Sequence, residues 1–192
     1  MAIEQFSNPE EAEKRILKLL SSEEGFQRGF ALLVNTYRER LYWHIRGMVG
    51  QHDDADDVLQ KTFIKVFKGF SGFQGNSKLY TWLYRIATNE SLTHIEKTKK
   101  QQTAALDDSE NGFAYSVKAE SYMDSEQLDL LLQKAIADLP EKQRQVFLMR
   151  YYDELSYQDI SEITGTSVGG LKASYHIAAK KIEEYIKQFT DF

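Results

Sequence analysis

The chain has 192 residues, 42% of them hydrophobic and 28% charged, which suits one mid-sized core or two small ones. No apolar run approaches the roughly 18 to 20 residues that cross a bilayer, the N-terminus lacks the pattern of a secretory signal, and no cysteine is available for disulfide, thiolate-metal or nucleophile chemistry. A formal net charge of −5 excludes indiscriminate coating of nucleic acid, so any DNA-binding face must be segregated from acidic surface. These features predict a cytoplasmic protein without membrane insertion.

Apolar residues recur at three- and four-residue spacing and strand-like alternation is nearly absent, which predicts an all-α chain. In chain order, residues 1–24 read as an extension with a helix over Glu10 to Leu20. A long helix over Phe26 to Val49 turns Phe30, Leu33, Val34, Tyr37, Leu41 and Ile45 inward. The next, Asp54 to Phe70, carries a stripe of Ala55, Val58, Leu59, Thr62/Phe63, Val66/Phe67 and Phe70, with Asp53 or Asp54 as its cap. A third, Lys78 to Lys97, repeats the pattern with Leu79, Trp82, Leu83, Ile86 and Ile95. Together these helices predict a first domain over 25–100.

From Thr98 to Gln127 the periodicity dissolves into polar, turn-rich sequence, so residues 101–127 read as a flexible linker. Periodicity returns at Leu128, giving a second small helical domain over 128–192. Pro140 fits the first turn of a helix running to about Tyr152.

Within that second domain, Ser156-Tyr-Gln-Asp159 reads as a variant capping box, followed by Ile160 and Ile163 and then Gly165 at a left-handed turn. Thr166 or Ser167 caps a further helix with Val168, Leu171, Tyr175, Ala178 and Ile182 inside. That leaves Gly169, Gly170, Lys172, Ala173, Ser174 and His176 outside, where a recognition helix meets the major groove. Any two short helices joined at a glycine share part of this pattern, so the motif alone defines a generic DNA reader.

Asp53-Asp54-Ala55-Asp56-Asp57 admits three readings. It is a well-capped, solvated helix start, or a DDxxD-type magnesium diphosphate site, or one end of a protein-docking face. The docking face is carried by Asp57, Gln60, Lys61, Ile64 and Lys68 opposite the apolar stripe, with Ile64 as an apolar centre in a polar rim. The segment Phe73-Gln-Gly-Asn-Ser-Lys-Leu-Tyr-Thr-Trp-Leu-Tyr-Arg joins a flexible loop to an aromatic helix, and basic residues follow. Single-stranded DNA is bound by such mixtures, and a loop with Gly75 and small polar neighbours can accept a flipped base. Trp82 reads as core, whereas Tyr80, Tyr84 and Arg85 read as exposed contacts. His44, His52 and His94 show no ligand-like spacing, so no metal or other cofactor is expected.

The order Asp-Ala-Asp-Asp-Val-Leu-Gln-Lys-Thr-Phe, then Phe73 to Ala87, resembles the second conserved region of extracytoplasmic-function (ECF) sigma factors. Leu139-Pro-Glu-Lys-Gln-Arg-Gln-Val-Phe and Leu155 to Lys172 resemble their fourth region. The resemblance spans roughly Phe26 to Ile186. It implies two DNA-reading domains, a non-catalytic role in promoter recognition, and core RNA polymerase, promoter DNA and an anti-sigma factor as partners. It implies core binding by Asp53, Asp56, Asp57, Gln60, Lys61 and Ile64. For the −10 element it implies Phe73, Gln74, Gly75, Asn76, Ser77, Lys78, Tyr80, Tyr84, Arg85 and Asn89. For the −35 element it implies Ser167, Gly169, Gly170, Lys172, Ala173, Ser174, His176 and Lys180. The chain departs from the family at Lys61, where glutamate is common, and at Ser174, Ile177 and Ala179, where arginines are common. An arginine-poor recognition helix predicts a shallower salt dependence. The competing reading is a helix-turn-helix regulator that binds duplex DNA without polymerase.

Overall fold

A computed structural model describes residues 9–105 and 125–189 of the chain. Among the described residues the structure is all-helical. It holds α1 (Pro9–Leu20), α2 (Phe26–Val49), α3 (His52–Gly69), a single 3-10 turn (Phe70–Gly72), α4 (Leu79–Ala105), α5 (Ser125–Ala137), α6 (Glu141–Tyr151), α7 (Tyr157–Thr164) and α8 (Val168–Lys187).

Helices α1 to α4 form one bundle. Helix α1 buries Ala12, Ile16 and Leu20, spaced four apart along one face, against α2. The crossing is close because Gly29 lies under it: a Cβ there would stand 2.8 Å from the Leu20 backbone nitrogen and from Leu19 Cβ. Helix α2 buries Leu33, Tyr37, Leu41 and Ile45 as its periodicity requires, and it stops at Gly50, whose φ of 90° is open to glycine. Helix α3 starts earlier than its apolar stripe suggests. Its N-cap is Gln51 without a side-chain bond, and Asp53 and Asp54 lie in the first turn instead of capping it. There they still oppose the helix dipole. Helix α4 is the spine of the bundle, with Leu79, Leu83 and Ala87 fully buried.

Helices α5 to α8 form the second unit around Ile136, Leu139, Phe147, Leu148, Ala178 and Ile182. Pro140 is the N-cap of α6, one residue outside the helix rather than in its first turn. The expected linker is shorter than its composition suggests. Helix α4 continues to Ala105 and α5 begins at Ser125, so 98–105 and 125–127 are helical. A polar stretch can be helical, because composition alone does not separate a solvated helix from a linker. The remainder of the predicted linker, 106–124, lies outside the described residues.

The two units are packed on one another. Helix α4 lies against α7 and α2 against α6. One cluster of buried side chains runs from Leu41, Ile45 and Leu83 into Met149, Leu155, Ile160 and Leu171. Among the described residues no helix is long and apolar enough to cross a membrane.

Since backbone atoms, which cannot rotate away, fill the space beside Gly29, Gly29→Ala should destabilise the chain by about 1–3 kcal/mol as an overpacked contact. The midpoint of urea unfolding, compared with that of wild type, measures it.

Candidate nucleic-acid and partner interfaces

The loop between the 3-10 turn and α4 is anchored at one end by aromatic packing. Phe73 stacks on Phe70 with ring centroids 5.9 Å apart and meets Trp82 at 5.1 Å. Trp82, expected in the core, is half-buried and serves as this anchor. Beyond Phe73 the loop is open. Gln74, Gly75, Asn76 and Lys78 are exposed, Ser77 is half-buried, and Asn76 donates to Gln74 Oε1 at 3.1 Å. Gly75 sits at φ 71°, a left-handed conformation that a side chain would strain.

Helix α4 presents its polar face to α7. Lys78 Nζ donates to the Tyr80 hydroxyl at 3.3 Å and stands 3.7 Å from Asp159 Oδ1. Arg85 donates to the Glu162 backbone carbonyl. Burial raises the Asp159 carboxyl. Bonds from Ser156 and Tyr80 together with the Lys78 charge outweigh it and hold the group below its usual value. Tyr84 departs from expectation. It is 3% exposed rather than a surface contact, because the second unit covers it. Its hydroxyl donates to Asp153 Oδ1 at 3.4 Å, and burial followed by that carboxylate pushes its pKa up. Asn89 is exposed one turn beyond Arg85.

Asp153 also accepts from His44 Nδ1 at 2.7 Å, and His44 Nε2 pairs with Thr88 Oγ1 at 3.0 Å. The histidine ring is buried and meets Tyr84 edge-on at 4.9 Å. A carboxylate only accepts, so Nδ1 must carry the proton in this contact. Sequence reasoning assigned His44 no chemistry and missed Asp153. The partners are 109 residues apart, beyond any local spacing signal. Asp153 is set by a tight turn after α6 in which Glu154 adopts φ 55°.

Helices α2 and α3 enclose a groove of about 610 Å³. Asp56, Asp57, Gln60 and Ile64 line it on α3, and Phe30, Val34 and Arg38 on α2. Asp53 and Lys61 are exposed but do not line it; Lys61 Nζ lies 4.0 Å from Asp57 Oδ2. Ile64 is 47% exposed and Phe67, expected on the core stripe, is 41% exposed. Phe67 instead packs edge-on against Phe26 and Phe30 at the groove wall. Its spacing was legible, but the stripe is wider than the core it faces. Among the described residues no three or more His, Cys, Asp or Glu side chains are gathered to hold a metal. Asp54 is paired with His94 at 3.1 Å instead.

The two-helix element α7–α8 follows its sequence closely. Ser156 Oγ accepts from the Asp159 N–H at 3.1 Å, and its own hydroxyl donates to the Asp159 carboxylate rather than leaving that group to reach the N-cap backbone. Gly165 is left-handed at φ 70°, and Ser167 is the cap of α8, accepting from the Gly170 N–H at 3.3 Å. Leu171, Ala178 and Ile182 are buried, with Val168 and Tyr175 half-buried. Gly169, Lys172, Ala173, His176 and Lys180 are exposed, whereas Gly170 and Ser174 are half-buried. Lys172 Nζ lies 5.9 Å from the Tyr157 ring centroid.

Among the described residues, a helix-turn-helix unit packs on a helical bundle whose α4 carries aromatic and basic side chains, the parts of a DNA-binding protein. The profile described as "Sigma-70 region 2" matches residues 33–101, and "Sigma-70, region 4" matches residues 129–182. The chain is 32% identical over 173 residues to the ECF RNA polymerase sigma factor SigW of Bacillus subtilis, covering 86% of this chain and 92% of that one. It is 31% identical over 176 residues to the ECF RNA polymerase sigma-E factor of Haemophilus influenzae, covering 86% and 91%. Among solved structures it resembles the sigma factor RpoE in complex with the anti-sigma factor NepR from Bartonella quintana. The TM-score is 0.68 at 22% identity, covering 82% of this chain and 96% of that one. It also resembles CnrH in complex with the cytosolic domain of CnrY, with TM-score 0.69 at 18% identity, covering 93% and 99%. The chain belongs to the ECF sigma factors of the sigma-70 family: it is a non-catalytic subunit that directs RNA polymerase to promoters.

Removing the Asp153 carboxylate leaves the His44 N–H and the Tyr84 hydroxyl buried without their partner. Asp153→Ala should cost about 1–3 kcal/mol. It should also raise amide exchange in α4 and α6, and unchanged protection of both helices would contradict the assigned contact.

Proposed function

We propose that the three surfaces divide the work of promoter recognition. The α2–α3 groove takes core polymerase, the 73–78 loop with the exposed face of α4 takes the −10 element, and α8 takes the −35 element. The observation that carries the first assignment is Ile64 and Phe67, large apolar side chains left exposed beside Asp56, Asp57 and Gln60. An apolar centre with a charged rim is the anatomy of a partner interface. Phe30, Val34 and Arg38 join that face from α2.

For the −10 element, the support is an open loop with a left-handed glycine next to an aromatic anchor and two cations, Lys78 and Arg85. These are the elements needed to hold an unstacked base and follow its phosphates. In the packed arrangement the second unit faces these same cations with Asp159 and the Glu162 carbonyl, acceptor groups where phosphate oxygens would lie. DNA engagement therefore requires α7 to move off α4, and Tyr84 becomes available only then. For the −35 element, Lys172, Ala173, His176 and Lys180 are the outward positions of α8. Ser167 acts mainly as the cap, and its neighbouring free N–H groups favour a phosphate at the helix start. Few cations on this helix neutralise few phosphates, and the salt slope is shallower by about one for each phosphate left unengaged. The protein works in the cytoplasm, with the polymerase. An anti-sigma protein is its expected restraint, in line with the two neighbours solved with NepR and CnrY.

The test is reconstitution: the purified chain added to core polymerase should give promoter-specific transcripts, and none from any promoter would sink the reading. Asp57→Arg and Ile64→Asp should each weaken core binding by at least about tenfold with the fold intact, as interface anchors do. Wild-type affinity in both variants would refute the assigned groove.

A further inference from the structure

Helix α4 begins with a deficit that its own sequence does not repair. The first N–H groups of a helix have no intrahelical acceptor, and a Ser, Thr, Asp or Asn at the preceding position usually supplies one. Before Leu79 stands Lys78, whose ammonium only donates and is turned toward Tyr80 and Asp159. The first turn of α4 contains no acidic residue to oppose the helix dipole.

The missing acceptor comes from another helix. The Leu79 N–H donates to Glu13 Oε1 at 2.8 Å, across 66 residues of sequence. Leu79 is fully buried, so this N–H has no ready access to water. The Glu13 charge also reaches Tyr37 of α2: burial first, and Glu13 second, push that phenol upward. Glu13 therefore sits at the junction of α1, α2 and the start of α4. It belongs to the wall of a cavity of about 580 Å³ that also contains Phe73, Gly75, Asn76, Ser77 and Lys78. The helix that holds it is fixed in place, with Ile16 fully buried and the α1–α2 crossing closed down on Gly29.

We infer that Glu13 is a positioning residue for promoter opening: it caps α4 from outside and so fixes the 73–78 loop in the shape that accepts an unpaired base. This rests on the assignment of that loop to the −10 element. The extension before region 2, outside the 33–101 match, thereby becomes part of the −10 reader. Glu13 need not touch DNA; it holds Leu79, where the loop ends and the helix begins.

The test uses holoenzyme, the full chain with core polymerase. From a pool of single-stranded DNA with a randomised central segment, wild-type holoenzyme selects its tightest oligonucleotide, which is then the probe. Glu13→Ala should bind it about fivefold more weakly, equivalent to about 1 kcal/mol, with core affinity unchanged. Glu13→Gln keeps an acceptor oxygen and should stay within about twofold of wild type. The Leu79 amide should exchange faster with solvent in Glu13→Ala but not in Glu13→Gln. Gly75→Val distorts the loop directly and reports on the −10 assignment itself. Loss of binding in Gly75→Val with wild-type binding in Glu13→Ala overturns the positioning role and leaves the loop assignment standing. Wild-type binding in both overturns the assignment and the inference with it. An equal loss in Glu13→Ala and Glu13→Gln, or a parallel loss of core affinity, also overturns it. If Glu13→Ala does not fold, the near-isosteric Glu13→Gln decides: a protected Leu79 amide and retained binding support the inference, and an unprotected amide overturns it.

Discussion

Helix α4 must satisfy two environments at once, and the rest of the molecule is arranged around that demand. One face, Leu79, Leu83 and Ala87, is fully buried in the first bundle and cannot rotate without exposing it. The helix's remaining positions carry Arg85 and Asn89, with half-buried Tyr80 beside the buried stripe and Lys78 just before the first turn, each held wherever the buried face directs it. Its start depends on a carboxylate from α1, and Tyr84 and Thr88 lie against groups contributed by α2 and the α6–α7 turn. The helix is thus placed by packing on three sides.

Charge segregation explains how a chain of net charge −5 binds a polyanion. Acidic residues gather at the groove of α3, away from the cationic face of α4, and on α7, directly opposite that face. The first group leaves the cationic face free of like-charge repulsion. The second neutralises it while the two units are closed on one another. An ion pair such as Lys78 with Asp159, exposed at its lysine end and 3.7 Å long, contributes little stability. The closed arrangement rests more on the shared apolar cluster and on Asp153, which satisfies two buried groups.

Much of the fold was legible in the sequence. The span Phe26–Val49 matches α2 at both ends, and Ser156, Gly165 and Ser167 occupy the capping and turn roles that their residue types predict. Such features are local: periodicity, a hydroxyl acceptor, a positive φ. The C-terminal end of α4 and the start of α5 were not legible, because polar turns of helix share their composition with linkers. The α2–α3 groove was legible only in part. Asp56, Asp57, Gln60 and Ile64 follow from one helix, whereas Phe30, Val34 and Arg38 reach the groove only when a second helix packs beside it.

By itself the sequence determined most of the helices and of their buried faces, the helix-turn-helix and the family, since these depend on neighbours a few residues apart or on motifs in a fixed order. Tertiary structure alone decided that Tyr84 is covered, that His44 meets Asp153 and that Glu13 caps α4. These contacts join residues 69, 109 and 66 positions apart. No local periodicity encodes such pairs; they exist because packed bundles bring particular side chains within hydrogen-bond distance.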